Sequence, residues 1–391
     1  MSVTENRQRI QTIAEAFAEK FLEPVAAELD RSGNFPRAIV AQLARKQLLA
    51  LPVARHAGFV AHVETLRTLS HACPAAASIV NHHALAAYAV FKWGSAAQKT
   101  LHLARLAEGE QLGALAFPDS GAEALTGAGG GTLNGKASFV RNAGVADVYI
   151  CFATITGPAA LGPVAFIAEG RTAGISVGPR YRTMGLRGCP VADVTFRNVA
   201  LDPACILGSA EDGPAILSTL LAAKALGTAA QTVGIGQTAA RQAAASAERR
   251  VQFGHPIATL QPILAMLEDI TTDLHLAWLG ILHAAQCFED GVPFIAEAER
   301  AQSFLGRVGQ KFLIDAIQIE GGLGISETPP PHHTGAIPLA RMFRDMAGTT
   351  LCDTPVRAWG LNHSNQGQGS FATVARDARF WRDDPPLRHS P

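Results

Sequence analysis

The strongest constraint on the fold of this chain is that its hydrophobic period changes twice along 391 residues. From Val3 to about Glu110 apolar side chains recur every three or four positions, as at Ile10, Ile13, Phe17 and Phe21, which gathers them on one face of a helix. Further helices are predicted over Pro36–Leu49, near Val60–Leu69, and over Ala75–Trp93 and Ala96–Leu106. Pro36 stands at a first-turn position, where its missing N–H costs nothing. Ala75–Trp93 is apolar nearly all round and is expected between other helices. From Gln111 to about Gly208 the texture is strand-like: Leu112–Phe117, Lys136–Val140, Val148–Thr154, Val164–Ala168 and Ala192–Phe196, parted by Gly, Pro, Asn and Asp. This predicts a compact antiparallel β domain of about 100 residues. From Gly213 the helical period returns, in Ala215–Arg249, Pro262–Phe288, Phe294–Glu320 and Ile337–Gly360. The expected division is 1–110, 111–208 and 209–391.

Composition bears on function. Thirty-three basic side chains are matched by thirty-three acidic ones. A chain of zero net charge lacks the long-range pull on which nucleic-acid and polybasic membrane-surface binding rest. Thr68–Phe91 and Val148–Ala168 are free of charge but broken by Pro, Gly, Ser, Thr, Asn or His, so neither is the apolar run of roughly 20 residues that a spanning helix needs. Met1–Asp30 has mixed charges and no apolar core, so no signal peptide is expected. The six cysteines (Cys73, Cys151, Cys189, Cys205, Cys287, Cys352) form no CxxC pair and read as reduced, mostly buried thiols of a cytoplasmic protein without a metal site.

Several motifs dissolve on inspection. Gly234-Ile235-Gly236 lies in a helical run with no strand before it, so helix packing explains it better than a dinucleotide fingerprint. Gly129–Gly131 lacks the Lys-Ser/Thr of a P-loop, and Gly127–Gly131 reads as a hairpin turn. His82-His83 is expected as core histidine, His332-His333 as loop, and Cys352 as an inert thiol.

Five segments in order then carry a resemblance: Leu112–Gly121 (LGALAFPDSG), Leu133–Asp147 (LNGKASFVRNAGVAD), Met184–Val199 (MGLRGCPVADVTFRNV), Arg250–Gln261 (RVQFGHPIATLQ) and Gln318–Gly324 (QIEGGLG), with Arg344-Asp345 downstream. Through them the chain resembles the acyl-CoA dehydrogenase flavoprotein family over nearly its whole length. The resemblance implies an α+β fold with an N-terminal helical domain, a central antiparallel β-barrel-like domain and a C-terminal four-helix bundle. It also implies FAD at a subunit interface of a homodimer or homotetramer, an acyl-CoA thioester as substrate and an electron-transfer flavoprotein as partner.

Residue by residue, the resemblance puts Phe117, Ser120 and Gly121 in the turn that holds FAD, where the family's Glu-Pro-Gly is Asp119-Ser120-Gly121 and the loop to Asn134 is shortened. Phe139 takes the place of a family Trp against the flavin, or is an ordinary core aromatic. Arg141 replaces a Thr that donates to the flavin edge; its charge suits a reduced anionic flavin, and its bulk could block the site. Arg250 matches the arginine on the cofactor's pyrophosphate–adenine part, a task that suits a forked, permanently charged donor. Phe253 and Gln261 match neighbouring contacts. Gln318, Gly321 and Gly322 match the segment receiving the partner's cofactor, although glycines here also suit a helix cap. The catalytic glutamate falls on Asp353, followed by Thr354. A carboxylate there can act as base, but one methylene is missing, which withdraws its oxygens by about 1.5 Å. A second family position for that glutamate falls on Lys224, which either approaches Asp353, binds an anionic substrate group, or snorkels to solvent.

Three activities fit this sequence. One is desaturation of a CoA thioester by an FAD-dependent oxidoreductase. Another is a divergent reaction, as in nitroalkane oxidases with their aspartate base or flavin monooxygenases, which Pro338–Asp345 faintly resembles. The last is a catalytically degenerate acyl-CoA-binding protein, which the shortened loop and Arg141 favour.

Overall fold

In the computed structural model, residues 3–54, 57–117, 126–128, 131–155, 163–200, 202–328 and 337–351 are described. Helix α1 (Val3–Phe17) continues through a π-helical turn into α2 (Glu23–Ser32), burying Ile10, Ala14, Phe17 and Leu22 together. Helix α3 (Arg37–Arg45) ends four residues before the sequence expectation of Leu49. Gln47 adopts a left-handed φ of 58°, and Leu48 N–H returns to Leu43 O, closing the helix with a cap normally built on glycine. Helices α4 (Gly58–Ser70) and α5 (Pro74–Trp93) follow, and Pro74 sits in the first turn of α5. The Ala96–Leu106 stretch is realised as α6 (Ala96–Gln98), a π-helical turn and α7 (Ala104–Ala107), opened by a capping box between Ser95 and Gln98.

Seven strands form one sheet: β1 (Gly113–Ala116), β2 (Thr126–Ala128), β3 (Thr132–Arg141), β4 (Val148–Ile155), β5 (Pro163–Glu169), β6 (Ile175–Val177) and β7 (Val191–Ala200). Two expectations are corrected here. The sheet is mixed rather than antiparallel, because β1 and β2 lie in succession along one edge of β4 and both run parallel to it. Alternation in the sequence reveals a strand, but its direction depends on the path of the connection, which periodicity does not contain. Nor is the sheet closed into a barrel among the described residues: β5 pairs only with β4 and β6 only with β7. Met184–Val199 supplies one strand, β7, which pairs with β3 and β6.

The sheet is buried on both faces. Val148, Ile150 and Phe152 of β4 join the core of the helices, while Tyr149, Cys151 and Ala153 join a second core with Phe166 and Phe196. That explains the continuous apolar run of β4, which suits a strand covered on two sides.

Helix α8 (Gly213–Arg249) is followed by a hairpin of β8 (Val251–Gln252) and β9 (His255–Pro256), then α9 (Gln261–Glu289), α10 (Ile295–Glu320) and α11 (Leu339–Thr350). Small residues let α8 approach its neighbours. A Cβ on Gly234 would stand 2.3 Å from Arg67 O, and one on Gly236 2.7 Å from Leu274, so this pair serves helix packing. Ala210–Arg249 is long and apolar enough to cross a membrane, yet 94% of its most apolar window is buried among the other elements. One continuous core runs from the N-terminal helices through α5 and the sheet to α8, α9 and α10.

Candidate functional site

Four elements meet at the end of the sheet. Phe117 follows β1 and stacks on Phe152 of β4, with ring centroids 5.9 Å apart and planes 11° apart. Lys224 of α8 does not reach out to solvent: it is 8% exposed, and its ammonium lies 5.6 Å from the centre of the Phe117 ring. Asn81 Nδ2 donates to Lys224 O at 3.2 Å, fixing this part of α8 against α5. Arg141 closes β3; it is 9% exposed, and its Nη2 donates to Gly348 O in α11 at 3.1 Å. The next residue of α11, Thr349, accepts from the Thr232 hydroxyl of α8 at 2.9 Å. Sheet, long helix and last helix are thus tied around one wall.

Phe139, two residues before Arg141 in β3, has an irregular backbone. The pairing of β3 with β7 slips between Ala137 and Val140, and Phe139 takes a φ of 56°. A bulge re-aims a side chain out of its strand, and a left-handed aromatic is held only where surroundings demand it. Here the Phe139 N–H donates to Asp193 Oδ1 at 3.0 Å, and the ring, 42% exposed, lies 5.3 Å from Tyr181. Tyr181 Oη donates to Asp193 Oδ2 at 3.0 Å, and Lys136 Nζ stands 3.6 Å from it. Desolvation pushes the Asp193 carboxyl upward, but the Phe139 N–H, the Tyr181 hydroxyl and Lys136 together hold it below the usual range. Phe139 is therefore a presented aromatic, not a core one.

A second cluster lies at the far end of α8. Arg250, Ser246, Ile319, Glu320 and Gly322 line a cleft of about 730 Å³. Gln242 and Ser246 donate to Glu320 Oε1 at 3.0 and 3.1 Å, which joins the ends of α8 and α10. Arg250 Nη1 reaches Glu320 O at 3.4 Å. Gly321 has φ 71° and ψ −138°, a backbone conformation that favours glycine, and it lies beside the Arg250 guanidinium, whose Nη1 would stand 2.9 Å from a Cβ built there. Phe253 and Gly254 have φ of 55° and 82°, the two-residue turn that suits a tight hairpin, and Phe253 is 89% exposed at its tip. Gln318 is exposed in the last turn of α10, and Gln261 is exposed at the start of α9. The structure thus brings Arg250, Gly321 and Gly322 together, whereas Phe253, Gln261 and Gln318 do not line the cleft. Ser120, Gly121, Asp353 and Thr354 lie outside the described residues.

Some residues had no sequence signal. Asp193 and Tyr181 look like ordinary strand and loop positions, and only the bulge gives them a task. Arg344-Asp345 acts as a clamp: Arg344 grips Asp30 of α2 through two bonds of 2.9 and 2.5 Å, and Asp345, 2% exposed, accepts from Leu186 N–H at 2.6 Å. Burial pushes the Asp345 carboxyl upward against the pull of Arg341. The histidines of α5 are core groups, as expected. Gly113 N–H donates to His83 Nδ1 at 2.9 Å, so Nε2 carries the proton it shares with Leu106 O at 3.0 Å. Of the cysteines, Cys73, Cys151 and Cys189 are buried free thiols, Cys205 and Cys287 are half-buried, and Cys352 lies outside the described residues.

The comparisons with known proteins agree with this architecture. Residues 4–110 match Acyl-CoA dehydrogenase, N-terminal domain; 114–199 match the middle domain; and 211–353 match the C-terminal domain. The chain is 31% identical over 368 residues to an acyl-CoA dehydrogenase of Bacillus subtilis, covering 90% of this chain and 95% of that protein. It is also 31% identical over 340 residues to a 3-(aryl)acrylate reductase of Clostridium sporogenes, covering 83% and 90%. Butyryl-CoA dehydrogenase from Megasphaera elsdenii superposes with a TM-score of 0.83 at 26% identity, covering 92% and 97%. The chain belongs to the acyl-CoA dehydrogenase family, FAD-dependent oxidoreductases that act on CH–CH donors.

Proposed function

We propose that this protein binds FAD and interconverts a CoA thioester and its α,β-unsaturated form, with Asp353 as the base. The observation that carries the cofactor reading is the junction at Gly321: a backbone conformation that favours glycine sets Gly321 and Gly322 beside the Arg250 guanidinium at a cleft of about 730 Å³. That is the chemistry of a diphosphate cradle, a forked cation beside backbone N–H groups. The other half of a flavin needs a flat apolar wall, which Phe117 and the presented Phe139 supply. The residues therefore fit FAD. About 39 Å of helix separates Lys224 from Arg250 at 1.5 Å per residue. That exceeds the reach of one flavin dinucleotide, so the two halves serve different cofactor molecules, each shared between two copies in a homodimer or homotetramer. Phe253, Gln261 and Gln318 lie on the surface that would meet the second copy.

Bound FAD would accept the hydride from the β carbon. The chain supplies the rest. Asp353 takes the α proton, and Thr354, Ser120 and Gly121 hold the flavin beside it. Arg141 sets a buried positive charge at the flavin edge, where it favours electron-rich flavin. Lys224 offers its buried ammonium to an anionic group of the acyl chain or to Asp353. An electron-transfer flavoprotein in the cytoplasm would serve as the electron acceptor. Relatives whose names are dehydrogenase and reductase imply that the partner couple sets the direction.

Arg250→Ala tests the cofactor reading. Losing a charge-assisted phosphate contact costs about 1.5–3 kcal/mol, or about ten- to a hundredfold in FAD affinity. Purified variant with a normal fold but a much reduced flavin-to-protein ratio supports the assignment; undiminished flavin content rejects it.

A further inference from the structure

A cleft of about 550 Å³ lies between the end of α2 and the loop leading into β7, with Arg31, Arg180, Arg182 and Arg187 on its walls and no carboxylate. Zero net charge for the chain makes such a concentration notable, because four like charges in one hollow repel. Local pairing relieves only part of it. Arg31 is bonded to Glu28 at 2.5 Å. Asp30, the acid whose field reaches Arg187, is committed to Arg344 by two hydrogen bonds. Arg180, which is exposed, spends one donor on the Arg187 carbonyl. The guanidinium groups of Arg182 and Arg187 have no hydrogen-bond or ion-pair partner among the described residues.

The walls are built rather than loose. Gly33 caps α2 with a φ of 67°, and a Cβ there would lie 3.5 Å from Arg187 O, so the helix end packs directly on the loop. Tyr181 N–H donates to Val191 O at 2.8 Å, and its hydroxyl is held by Asp193, so its ring is fixed at the side of the cleft. We propose that this cleft is a binding site for a diphosphate-bearing ligand, with Arg180, Arg182 and Arg187 as phosphate donors. Guanidinium groups match phosphate oxygens in pairs, and several converging on one hollow can satisfy two linked phosphates where a single anion could not. Tyr181 offers an aromatic edge to any ring attached to them. This site is separate from the Arg250 cleft and does not depend on the redox reading.

The test uses flavin-loaded full-length protein and calorimetric titration with inorganic pyrophosphate and, separately, ADP at low and moderate salt. Saturable binding tighter than about 1 mM, weakening with salt and reduced about tenfold or more by Arg182→Ala, supports the site. Equal affinity for the two ligands marks inorganic diphosphate as sufficient. Tighter ADP binding that Tyr181→Leu removes marks a nucleotide. Arg182→Glu, at an exposed position, should abolish binding altogether, with an unchanged melting temperature showing that the variant is folded. No saturable binding of either ligand, or affinity unchanged in both Arg182 variants, overturns the proposal.

Discussion

Phe139 shows how a single residue can carry more information than its type. In the sequence it is an aromatic in a strand, equally suited to core or cofactor. In the structure a slipped register and a φ of 56° turn it outward onto Tyr181, held by one carboxylate that also fixes Tyr181. Its backbone was not legible because a left-handed phenylalanine has no sequence signature, unlike the glycine at Gly321. Arg141 is the complementary case: its departure from the family's threonine is visible in the sequence, but its burial and its bond to Gly348 O are not. Returning this position to the family residue isolates its charge. Arg141→Thr should lower the reduction potential of the bound flavin by about 30 mV for each 1.4 kcal/mol of lost stabilisation of the two-electron-reduced form. Spectroelectrochemical titration of both proteins measures it, and an equal or higher potential in the variant rejects a redox role for Arg141.

Elements were read more easily than their junctions. Long periodic helices and the strands of the sheet came through because burial on one face or two imposes a period on the chain. What failed to come through was set by contacts distant in sequence: the parallel pairing of β4, the cap at Gln47 that shortens α3, and the short β6. The junction of α5 with α8 is of this kind and bears on the site. A Cβ on Gly227 would stand 2.2 Å from Asn81 Oδ1. Asn81 has little room to yield, since it contacts His62 Nε2 at 3.3 Å and donates to the carbonyl of Lys224. Gly227→Ala is therefore expected to destabilise the fold by about 2 kcal/mol, in the range of overpacked cores. Urea unfolding of the variant measures this, and unchanged stability would show that the helices separate without cost.

At the scale of the whole molecule, one core links the N-terminal helices to α8, α9 and α10, and it contains ionisable groups that stay neutral. Burial lowers His62 to about 4 despite the Asn81 hydrogen bond, and burial likewise lowers His83 to about 4. Both are depressed relative to the unfolded chain, near 6.5, so their contribution is complete above that pH and is lost as pH falls toward 4. At pH 5 each should cost about 2 kcal/mol of stability. The melting temperature should fall steadily between pH 7 and pH 5, and His83→Gln should flatten that slope; a flat profile in the parent protein would contradict neutral burial. The family was legible because its matching strings span every region of the chain. The catalytic base is the part that rests on sequence alone, and one measurement addresses it. Flavin-loaded protein is mixed anaerobically with butyryl-CoA, and the flavin absorbance is followed in the parent and in Asp353→Asn. Bleaching in the parent, lost in a variant that still holds FAD and still binds the thioester, is the predicted result. Bleaching at the parent rate in Asp353→Asn, or none in a parent that demonstrably binds both FAD and the thioester, would contradict it.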